Sequence, residues 1–296
     1  MITSPTVFVL GAGASVPYGF PAGAELRDRV CGLEHCEEGL LLERELNFSK
    51  NEISTFASAL RRSSFTSVDL FLESRPSFLE IGKAAIAAFL VGCEHEENLF
   101  PGSYSRHRAW YHVLLERIRA PRIEDLDENE IGIVTLNYDR SLEQFLFTAL
   151  TNAYNLDEET CAGLVKTLAP IHIYGKLGHL PWEGHAPEVT RPYANRRDQA
   201  TLKAAVSGLR VVHEGVGAEE DLAVARDLIA RAENVYLVGF GFHPVNIERL
   251  GLGGIGERPG LHLRGTALGL EGAALMNATL NLHRGFELFD GDALIW

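Results

Sequence analysis

The sequence has few of the features that mark several classes of protein. Only four of its 296 residues are cysteine, and no two of them have CxxC spacing, which argues against a disulfide framework or a four-cysteine zinc module. No apolar run approaches the roughly 18–20 residues that a membrane span needs. No basic segment followed by a long apolar stretch and a cleavage site marks a secretory signal. We therefore expect a cytoplasmic protein without membrane association.

Positive charge is also scarce. The chain carries 27 basic and 40 acidic residues, for a formal net charge of −13. This balance argues against broad binding to nucleic acid or to an anionic membrane, and we expect no direct nucleic-acid binding. Hydrophobic residues make up 46% and charged residues 23%, which is ordinary for a globular protein. At this length we expect one large domain, or a core with a sizeable insertion.

Short apolar runs alternate with helical patterns along most of the chain. The first run, Thr6 to Leu10, enters a glycine-rich turn, and residues 22–33 have helical spacing. Helical patterns also cover 219–232 and 272–280. Alternating strands and helices predict an α/β fold with a doubly wound, mostly parallel, Rossmann-like sheet. The further predicted strands cover 131–135, 171–174, 209–213, 235–238 and 261–264.

Residues 36–124 have helical periods and no good strand. We expect them to form a helical insertion in a core built from 1–35 and 125–296. The clearest helices cover 78–91 and 110–118. The apolar stripe from Leu79 to Leu90 has two interpretations, as the interior of the insertion or as a surface for another chain.

A glycine-rich turn, Gly11-Ala12-Gly13-Ala14-Ser15, joins the first strand to a helix. In phosphate-binding turns of this kind, glycines let the backbone approach the ligand, and the helix N-terminus offers free N–H groups. Val16 departs from the dinucleotide fingerprint, which has glycine there. The alternative is a tight turn that needs glycine for backbone reasons alone.

Three further motifs follow in order: Thr135-Leu136-Asn137-Tyr138-Asp139, Ile171-His172-Ile173-Tyr174-Gly175, and the segment from Gly239 to Asn246, Gly-Phe-Gly-Phe-His-Pro-Val-Asn. Together with the first turn they resemble the sirtuin family, most closely its bacterial sirtuin-like branch. That branch keeps the NAD-binding core, lacks the zinc module and is associated with NAD hydrolysis in antiphage defence. The resemblance covers essentially the whole core, including Gly265-Thr266-Ala267-Leu268-Gly269.

The resemblance implies a role for each matching residue. Asn137 would lie beside the nicotinamide ribose with Asp139 nearby, and Gly265 and Thr266 would close the adenine end. The pyrophosphate would be wrapped by Gly11, Ala12, Gly13 and Ser15. The diphosphate and adenosine side would be contacted by Gly239, Gly241 and Phe242.

Two departures affect the chemistry. Deacylases of the family have Asp-Phe-Arg shortly after the first glycines, where this chain has Pro21-Ala22-Gly23-Ala24. Their catalytic histidine also directly precedes a glycine. Here Tyr174 precedes Gly175, and His172 lies two residues earlier. Side chains two apart on a strand share a face, so either His172 or Tyr174 is the candidate catalytic group. Because imidazole titrates near pH 7, we expect His172→Ala to cost more activity than Tyr174→Phe.

Several of these residues also have a purely structural interpretation. Asn137 is also placed to cap the following helix, and His172 and Tyr174 also suit a buried core. His243 lies in the glycine-rich loop and is a candidate pocket residue. Asp69 opens a helix, either near the cleft or only beside the helix dipole. The remaining histidines have no metal-ligand spacing, so we predict no metal.

These motifs predict an NAD⁺ hydrolase that releases nicotinamide and ADP-ribose, with NAD as substrate. The first alternative is a non-catalytic subunit that binds NAD or ADP-ribose, and the second is a protein deacylase. Because the core and insertion account for nearly all residues, we expect activity to be gated by self-assembly, a partner protein, or both.

Overall fold

The computed structural model describes residues 1–102, 110–211, 216–267, 273–282 and 286–289. Thirteen α-helices and six β-strands lie in these ranges. The strands are β1 Thr6–Leu10, β2 Ile131–Thr135, β3 Ile171–His172, β4 Asn234–Val238, β5 His262–Thr266 and β6 Phe286–Phe289. The helices are α1 Gly23–Cys31, α2 Glu37–Leu46, α3 Lys50–Arg62, α4 Val68–Ser74, α5 Leu79–Val91, α6 Glu96–Leu99, α7 Trp110–Ile118, α8 Ser141–Tyr154, α9 Glu158–Leu168, α10 Gln199–Gly208, α11 Val216–Arg231, α12 Pro244–Arg249 and α13 Ala273–Leu282. None of these helices is long and apolar enough to cross a bilayer.

All six strands form one parallel sheet in the order β3-β2-β1-β4-β5-β6. The strand order reverses at β1, which pairs with β2 on one side and β4 on the other. This is the order of a doubly wound dinucleotide-binding fold, and ligands of such folds bind at the carboxyl ends of the strands beside the reversal. The predicted α/β, Rossmann-like class is confirmed.

The central strands are buried because helices cover both faces of the sheet. Every residue of β1 is buried, as are Val235, Leu237 and Val238 of β4. A strand buried on both faces must be almost continuously apolar, and the Thr-Val-Phe-Val-Leu sequence of β1 has this pattern. Continuous apolar runs of this kind therefore predict the central strands correctly.

The described secondary structure of residues 36–124 is entirely helical, and α5 lies at the centre of that segment. Its residues from Ile81 to Val91, apart from Lys83, are buried, and the helix packs against α2 and α10. The apolar stripe of α5 is therefore packed within the chain and is not a surface for another protein.

A buried ion triad also joins the helical segment to the core. The carboxylate of Glu94, between α5 and α6, accepts from Arg140 Nη2 at 2.8 Å and from Arg191 Nη1 at 2.5 Å. All three side chains are almost completely buried. Both guanidinium groups depend on the one carboxylate, because loss of Glu94 would leave two buried cations without a counter-charge. The triad therefore fixes the two parts of the chain together.

Three elements differ from the sequence prediction. Leu209 forms only an isolated antiparallel bridge with Gly175, so the predicted strand at 209–213 is wrong for 209–211, and 212–213 lie outside the described residues. The strand predicted at 171–174 ends at His172. The sixth strand, Phe286–Phe289, was missed.

Candidate functional site

A cleft of about 450 Å³ lies at the carboxyl ends of β1, β2, β4 and β5. The helical segment closes one side of it through the start of α4, and α12 closes another. Its volume is in the range of small-molecule sites. The residues that line it are Gly11, Ala12, Gly13, Ala22, Gly23, Ala24, Thr66, Ser67, Asp69, Leu70, Glu73, Leu136, Asn137, Tyr174, Gly239, Phe240, Gly241, His243, Asn246, Arg249 and Thr266.

A smaller cavity of about 270 Å³ lies at the opposite, amino ends of β1 and β4, around Ser4, Phe8 and Tyr236. It contains none of the residues that the motifs single out. The fold also places ligands at the carboxyl ends of parallel strands. We therefore take the larger cleft as the candidate functional site.

The two glycine-rich loops of the cleft pack backbone against backbone. A Cβ on Gly11 would lie 2.5 Å from the carbonyl oxygen of Gly239, and a Cβ on Gly13 would lie 2.8 Å from the Gly239 Cα. Gly239 has a φ of +57°, and its Cβ would lie 1.9 Å from the Ala14 nitrogen. These three glycines are required by the close approach of the loops, whatever the cleft binds.

Two other glycines of the cleft are not required by packing. A Cβ on Gly23 or on Gly241 would meet no atom within 4 Å. Both residues line the cleft. The absence of a side chain at these positions therefore leaves room for a ligand.

Much of the hydrogen-bonding capacity of the loops is already engaged. The N–H groups of Gly11 and Gly13 donate to the carbonyls of Val238 and Gly239, both at 3.0 Å, and the Gly239 N–H donates to Thr266 Oγ1 at 2.9 Å. Within the described residues, no group accepts from the N–H of Ala12 or of Gly241. The predicted phosphate-binding turn thus offers fewer N–H groups than its glycine pattern indicates.

Asn137 lies directly beyond β2 and reaches across to the first loop. Its Nδ2 donates to the Gly11 carbonyl at 2.9 Å and to Ser15 Oγ at 3.0 Å. Both amide protons are therefore used, and no described group donates to Oδ1. The hydrogen-bonded amide has a fixed orientation and lines the cleft. It does not cap α8, whose first turn is instead bound by Asp139.

Ser15 and Asp139 lie beneath the cleft and do not line it. Ser15 Oγ donates to Asp139 Oδ2 at 2.6 Å, and Ser141 Oγ donates to the other carboxylate oxygen. Tyr111 of α7 contacts Ser141 Oγ at 2.6 Å. Burial raises the pKa of Asp139, although these hydroxyl donors oppose the shift. Asp139 therefore positions Ser15, and through it Asn137.

His172 lies outside the cleft in a buried ion pair. Its Nδ1 lies 2.9 Å from the Asn137 carbonyl oxygen, and its Nε2 lies 2.8 Å from Glu143 Oε1. Burial alone would raise the pKa of Glu143, but His172 and Lys176 outweigh it and lower that pKa to about 2. Both ring nitrogens are therefore engaged by oxygen atoms of the protein.

This geometry does not favour the expected role of His172 as the base. His172 does not line the cleft, and both of its ring nitrogens already face protein oxygens, so neither is directed at a water in the cleft. The strand also ends at His172, so the alternation that was expected to give His172 and Tyr174 a common face does not continue. The structure separates the two side chains, and only Tyr174 reaches the cleft.

The Tyr174 hydroxyl is bound on two sides. It donates to Asn246 Oδ1 at 2.6 Å and accepts from Arg249 Nη1 at 3.0 Å. Burial raises the pKa of Tyr174 to about 12, against the opposing effect of Arg249. A phenol with that pKa stays protonated near pH 7, so Tyr174 acts as a hydrogen-bonding group rather than as a base.

The helical segment contributes two acids to the cleft. Glu73 binds Arg249 with both carboxylate oxygens at 3.0 Å, and Asp69 accepts from the hydroxyl of Tyr138. Burial raises the pKa of Asp69, a shift that the hydrogen bond from Tyr138 opposes. Asp69 is therefore the cleft carboxylate without a cationic partner in direct contact, whereas Glu73 is neutralised by Arg249.

Of the remaining predicted residues, some line the cleft and others are buried beside it. His243 and Thr266 line the cleft, and the His243 ring accepts from the Val245 N–H at 3.4 Å. Phe242 is fully buried and packs against Phe240 and Phe286. Gly265 is also buried, since its Cβ would lie 2.8 Å from the Phe286 ring. Leu268 and Gly269 lie outside the described residues.

The cleft thus combines nine of the predicted residues and excludes five. Those that line it are Gly11, Ala12, Gly13, Asn137, Tyr174, Gly239, Gly241, His243 and Thr266. Those that lie beneath or beside it are Ser15, Asp139, His172, Phe242 and Gly265. Sequence reasoning missed Glu73 and Arg249, because charged residues on short helices carry no motif. It gave no role to Asn246, although that residue ends the last of the four motifs. It left Asp69 open between the cleft and the helix dipole.

The comparisons with known proteins do not extend this description. No protein-family model matches the chain, and no curated protein is significantly similar to it. The sirtuin-like resemblance therefore rests on the motifs alone, and what it implies is a proposal. The established result is an α/β chain with a Rossmann-like sheet and a cleft at the reversal of its strand order.

Proposed function

We propose that the protein is an NAD⁺ hydrolase of the bacterial sirtuin-like, antiphage-defence type, which converts NAD⁺ and water into nicotinamide, ADP-ribose and a proton. The observation that carries the proposal is the position of Asn137. Its amide is held against the first glycine loop, at the carboxyl end of β2, beside the reversal of the strand order. A dinucleotide-binding fold with an oriented amide in its cleft suits a ligand with a ribose to hold.

The cleft offers room and donors for the dinucleotide. Gly23 and Gly241 leave open space, and the N–H groups of Ala12 and Gly241 are available to phosphate oxygens. Arg249 is already paired with Glu73. We therefore propose that the diphosphate is bound mainly by backbone N–H groups and the positive ends of the neighbouring helices.

The bond between nicotinamide and ribose breaks with positive charge developing at the anomeric carbon. Nicotinamide leaves as a neutral molecule and needs no general acid. The protein must hold the ribose, orient one water and accept its proton. In the proposal, Asn137 Oδ1 accepts from a ribose hydroxyl or from the water, and no metal takes part.

Asp69 is the proposed proton acceptor, in place of His172. It lines the cleft, and its pKa is raised by burial, which makes the carboxylate a stronger base. Tyr138 holds one oxygen, and the other remains to accept from water. Because Asp69 lies on α4, the helical segment would supply part of the catalytic site.

The test is to incubate the purified protein with NAD⁺, with and without an acetylated peptide, and to resolve the products by chromatography. Free ADP-ribose without peptide is the expected result, and Asn137→Ala should not produce it. Acetyl-ADP-ribose that forms only with peptide would instead support a deacylase. The absence of Asp-Phe-Arg at residues 21–24 argues against that outcome.

A second candidate is a non-catalytic subunit that binds NAD or ADP-ribose. The observation that favours it is the engagement of His172 in its ion pair, which removes the expected base from the cleft. Under this alternative NAD⁺ would stay intact and would still raise the melting temperature, because a ligand of the native state alone stabilises it.

We also propose that activity is gated by other chains, through self-assembly or a partner protein. An enzyme that hydrolysed NAD⁺ without control would deplete it in its own cell. Light scattering and an activity assay at the same concentrations test this proposal. A strictly monomeric protein that is fully active alone at nanomolar concentration would contradict it.

A further inference from the structure

Three potential metal ligands meet in the loop that follows β3. One ligand atom each from His179, Glu183 and His185 lies within 4.8 Å of the other two. The spacing is His-x3-Glu-x-His. A search for histidine and cysteine spacings alone does not find it, because the middle ligand is a carboxylate. None of the three residues lines the cleft.

We propose that this cluster binds one divalent transition-metal ion of the zinc type, with His179, Glu183 and His185 as protein ligands and water in the fourth position. Two imidazoles and one carboxylate form a ligand set that zinc accepts in proteins. The proposal concerns a site in the loop and does not depend on what the cleft binds.

The backbone holds two of the ligands in place. The His179 N–H donates to the Val189 carbonyl at 2.8 Å, and the His179 carbonyl accepts from Arg191 at 2.9 Å. Glu183 ends a short 3-10 helix, Pro181–Glu183. The neighbouring Trp182 stacks on Phe147 with ring centroids 4.8 Å apart, which fixes that helix to α8. A site whose ligands are already positioned loses little entropy when the ion binds.

Each carboxylate oxygen of Glu183 has a different partner. Its Oε1 accepts from Lys176 Nζ at 2.7 Å, and its Oε2 lies 2.8 Å from His179 Nδ1. Lys176 therefore holds one oxygen and leaves the other directed at the histidine. A partner that orients a ligating carboxylate in this way is common around metal sites.

Binding needs only a small rearrangement. With metal–ligand bonds of about 2.1 Å and tetrahedral angles, two ligand atoms lie about 3.4 Å apart. The His179 nitrogen and Glu183 oxygen must therefore separate by about half an ångström, and the proton between them is displaced by the ion. His185 stacks on His179 with centroids 3.5 Å apart and must turn its ring to direct a nitrogen at the ion. His185 is exposed and follows Gly184, so its side chain has room to turn.

The loop also connects the proposed ion to the cleft. Lys176 lies between Glu183, at 2.7 Å, and Glu143, at 3.6 Å, and Glu143 binds His172, which contacts the Asn137 carbonyl. An ion bound to Glu183 would neutralise its carboxylate and weaken the attraction between Glu183 and Lys176. Lys176 would then be held mainly by Glu143. The site would therefore stabilise the loop and the ion pair behind Asn137.

The experiment measures zinc binding to the full-length protein after its metal has been removed with a chelator. Zn²⁺ is titrated in competition with a chromogenic chelator, for the wild type, His185→Ala and Glu183→Gln. We expect one Zn²⁺ per chain. In both variants the affinity for Zn²⁺ should be at least about a hundredfold lower than in the wild type. His35→Ala is the matched control, because His35 is an exposed histidine 3.3 Å from a carboxylate, Glu34, and should leave the affinity unchanged.

Cobalt replaces zinc in a second measurement that identifies the ligands. Co²⁺ should give visible ligand-field bands without the near-ultraviolet band of cysteine ligation, and His185→Ala should remove them. Circular dichroism establishes that each variant is folded. A protein that binds no stoichiometric Zn²⁺, an unchanged affinity in His185→Ala, or a thiolate band would each overturn the proposal.

Discussion

Arg249 binds both carboxylate oxygens of Glu73 at 3.0 Å, which ties the last turn of α12 to α4 across the cleft. The same guanidinium donates to the Tyr174 hydroxyl at 3.0 Å. One side chain of α12 thus contacts both the helical segment and the start of the loop that follows β3. The cleft is therefore built jointly by the core and by a segment that the sheet does not need.

The first prediction concerns Asn137. We expect Asn137→Ala to abolish NAD⁺ cleavage while the protein stays folded, because the amide is the oriented polar group at the end of β2. The substitution removes hydrogen bonds to Gly11 and Ser15, which should cost about 1–2 kcal/mol of unfolding free energy. Product formation and chemical denaturation measure the two effects. Asn152→Ala, at an exposed position of α8, is the control, and near-normal turnover of Asn137→Ala would contradict the mechanism.

The second prediction compares His172 with Tyr174, and the structure reverses the order expected from sequence. His172→Ala removes the imidazole that binds buried Glu143 and should destabilise the fold by about 3–5 kcal/mol. Tyr174→Phe should cost about 1 kcal/mol of stability and lower kcat/KM about tenfold, because it removes the hydroxyl between Asn246 and Arg249. Turnover per folded molecule should fall less in His172→Ala than in Tyr174→Phe. The opposite order would restore His172 as the catalytic base.

The third prediction is a pH dependence that belongs to Asp69. The carboxylate accepts a proton only when ionised, and burial raises its pKa above the usual value of 3.8. Activity should therefore be lost as pH falls through this raised pKa, with a midpoint above that of an exposed aspartate. Asp69→Asn should lower kcat at least about a hundredfold. The residual activity should lack the acidic limb, whereas Asp28→Asn, at an exposed site, should keep the wild-type profile.

The fourth prediction separates the glycines that packing requires from those that leave room for a ligand. Gly239→Ala places a Cβ 1.9 Å from the Ala14 nitrogen at a φ of +57°, and we expect it to destabilise the protein by several kcal/mol. Gly241→Leu meets no atom near its Cβ and should retain stability while weakening NAD⁺ binding. Thermal unfolding and isothermal titration measure the two effects. Gly163→Leu, at another open glycine, is the control, and unchanged NAD⁺ affinity in Gly241→Leu would place the ligand elsewhere.

The fifth prediction concerns stability in acid. Glu143 has a pKa lowered to about 2 in the folded protein, against 4.5 in a model carboxyl, so the folded state binds its proton less readily than the unfolded state. The contribution of the ionised Glu143 to the free energy of unfolding is present above about pH 4.5. It is lost as pH falls toward 2, a loss of about 3 kcal/mol. Urea denaturation across this range measures the loss. Glu143→Gln should be less stable at pH 7 and should lack this part of the pH dependence.

Much of the sheet could be predicted from sequence, because strands buried on both faces need continuous apolar runs. The runs at Thr6–Leu10 and Ile131–Thr135 became central strands, and Asn137 followed as a strand-end residue. Phe286–Phe289 was missed because its four residues are too short a run to separate from a helix segment.

The polar side of the cleft could not be predicted in the same way. His172 and Tyr174 were assigned to one face on the assumption that the strand continues, but β3 ends at His172 and Gly175 has a φ of +70°. Asp69 and Glu73 enter the cleft through the packing of α4 against the core. That packing is a tertiary relationship, and the local pattern around Asp69 describes only its own helix.

The central position of β1 also determines when the fold can be completed during synthesis. β1 leaves the ribosome before the other five strands that the structure describes, yet one of its partners, β4, is formed by residues 234–238. At about 5–20 residues per second, the intervening chain takes on the order of 10–50 s to emerge. Through that interval an apolar strand has an unpaired edge, and pairing over so large a sequence separation is intrinsically slow. The cleft requires contact between the two glycine-rich loops, so it can form only after the second of them has been synthesised.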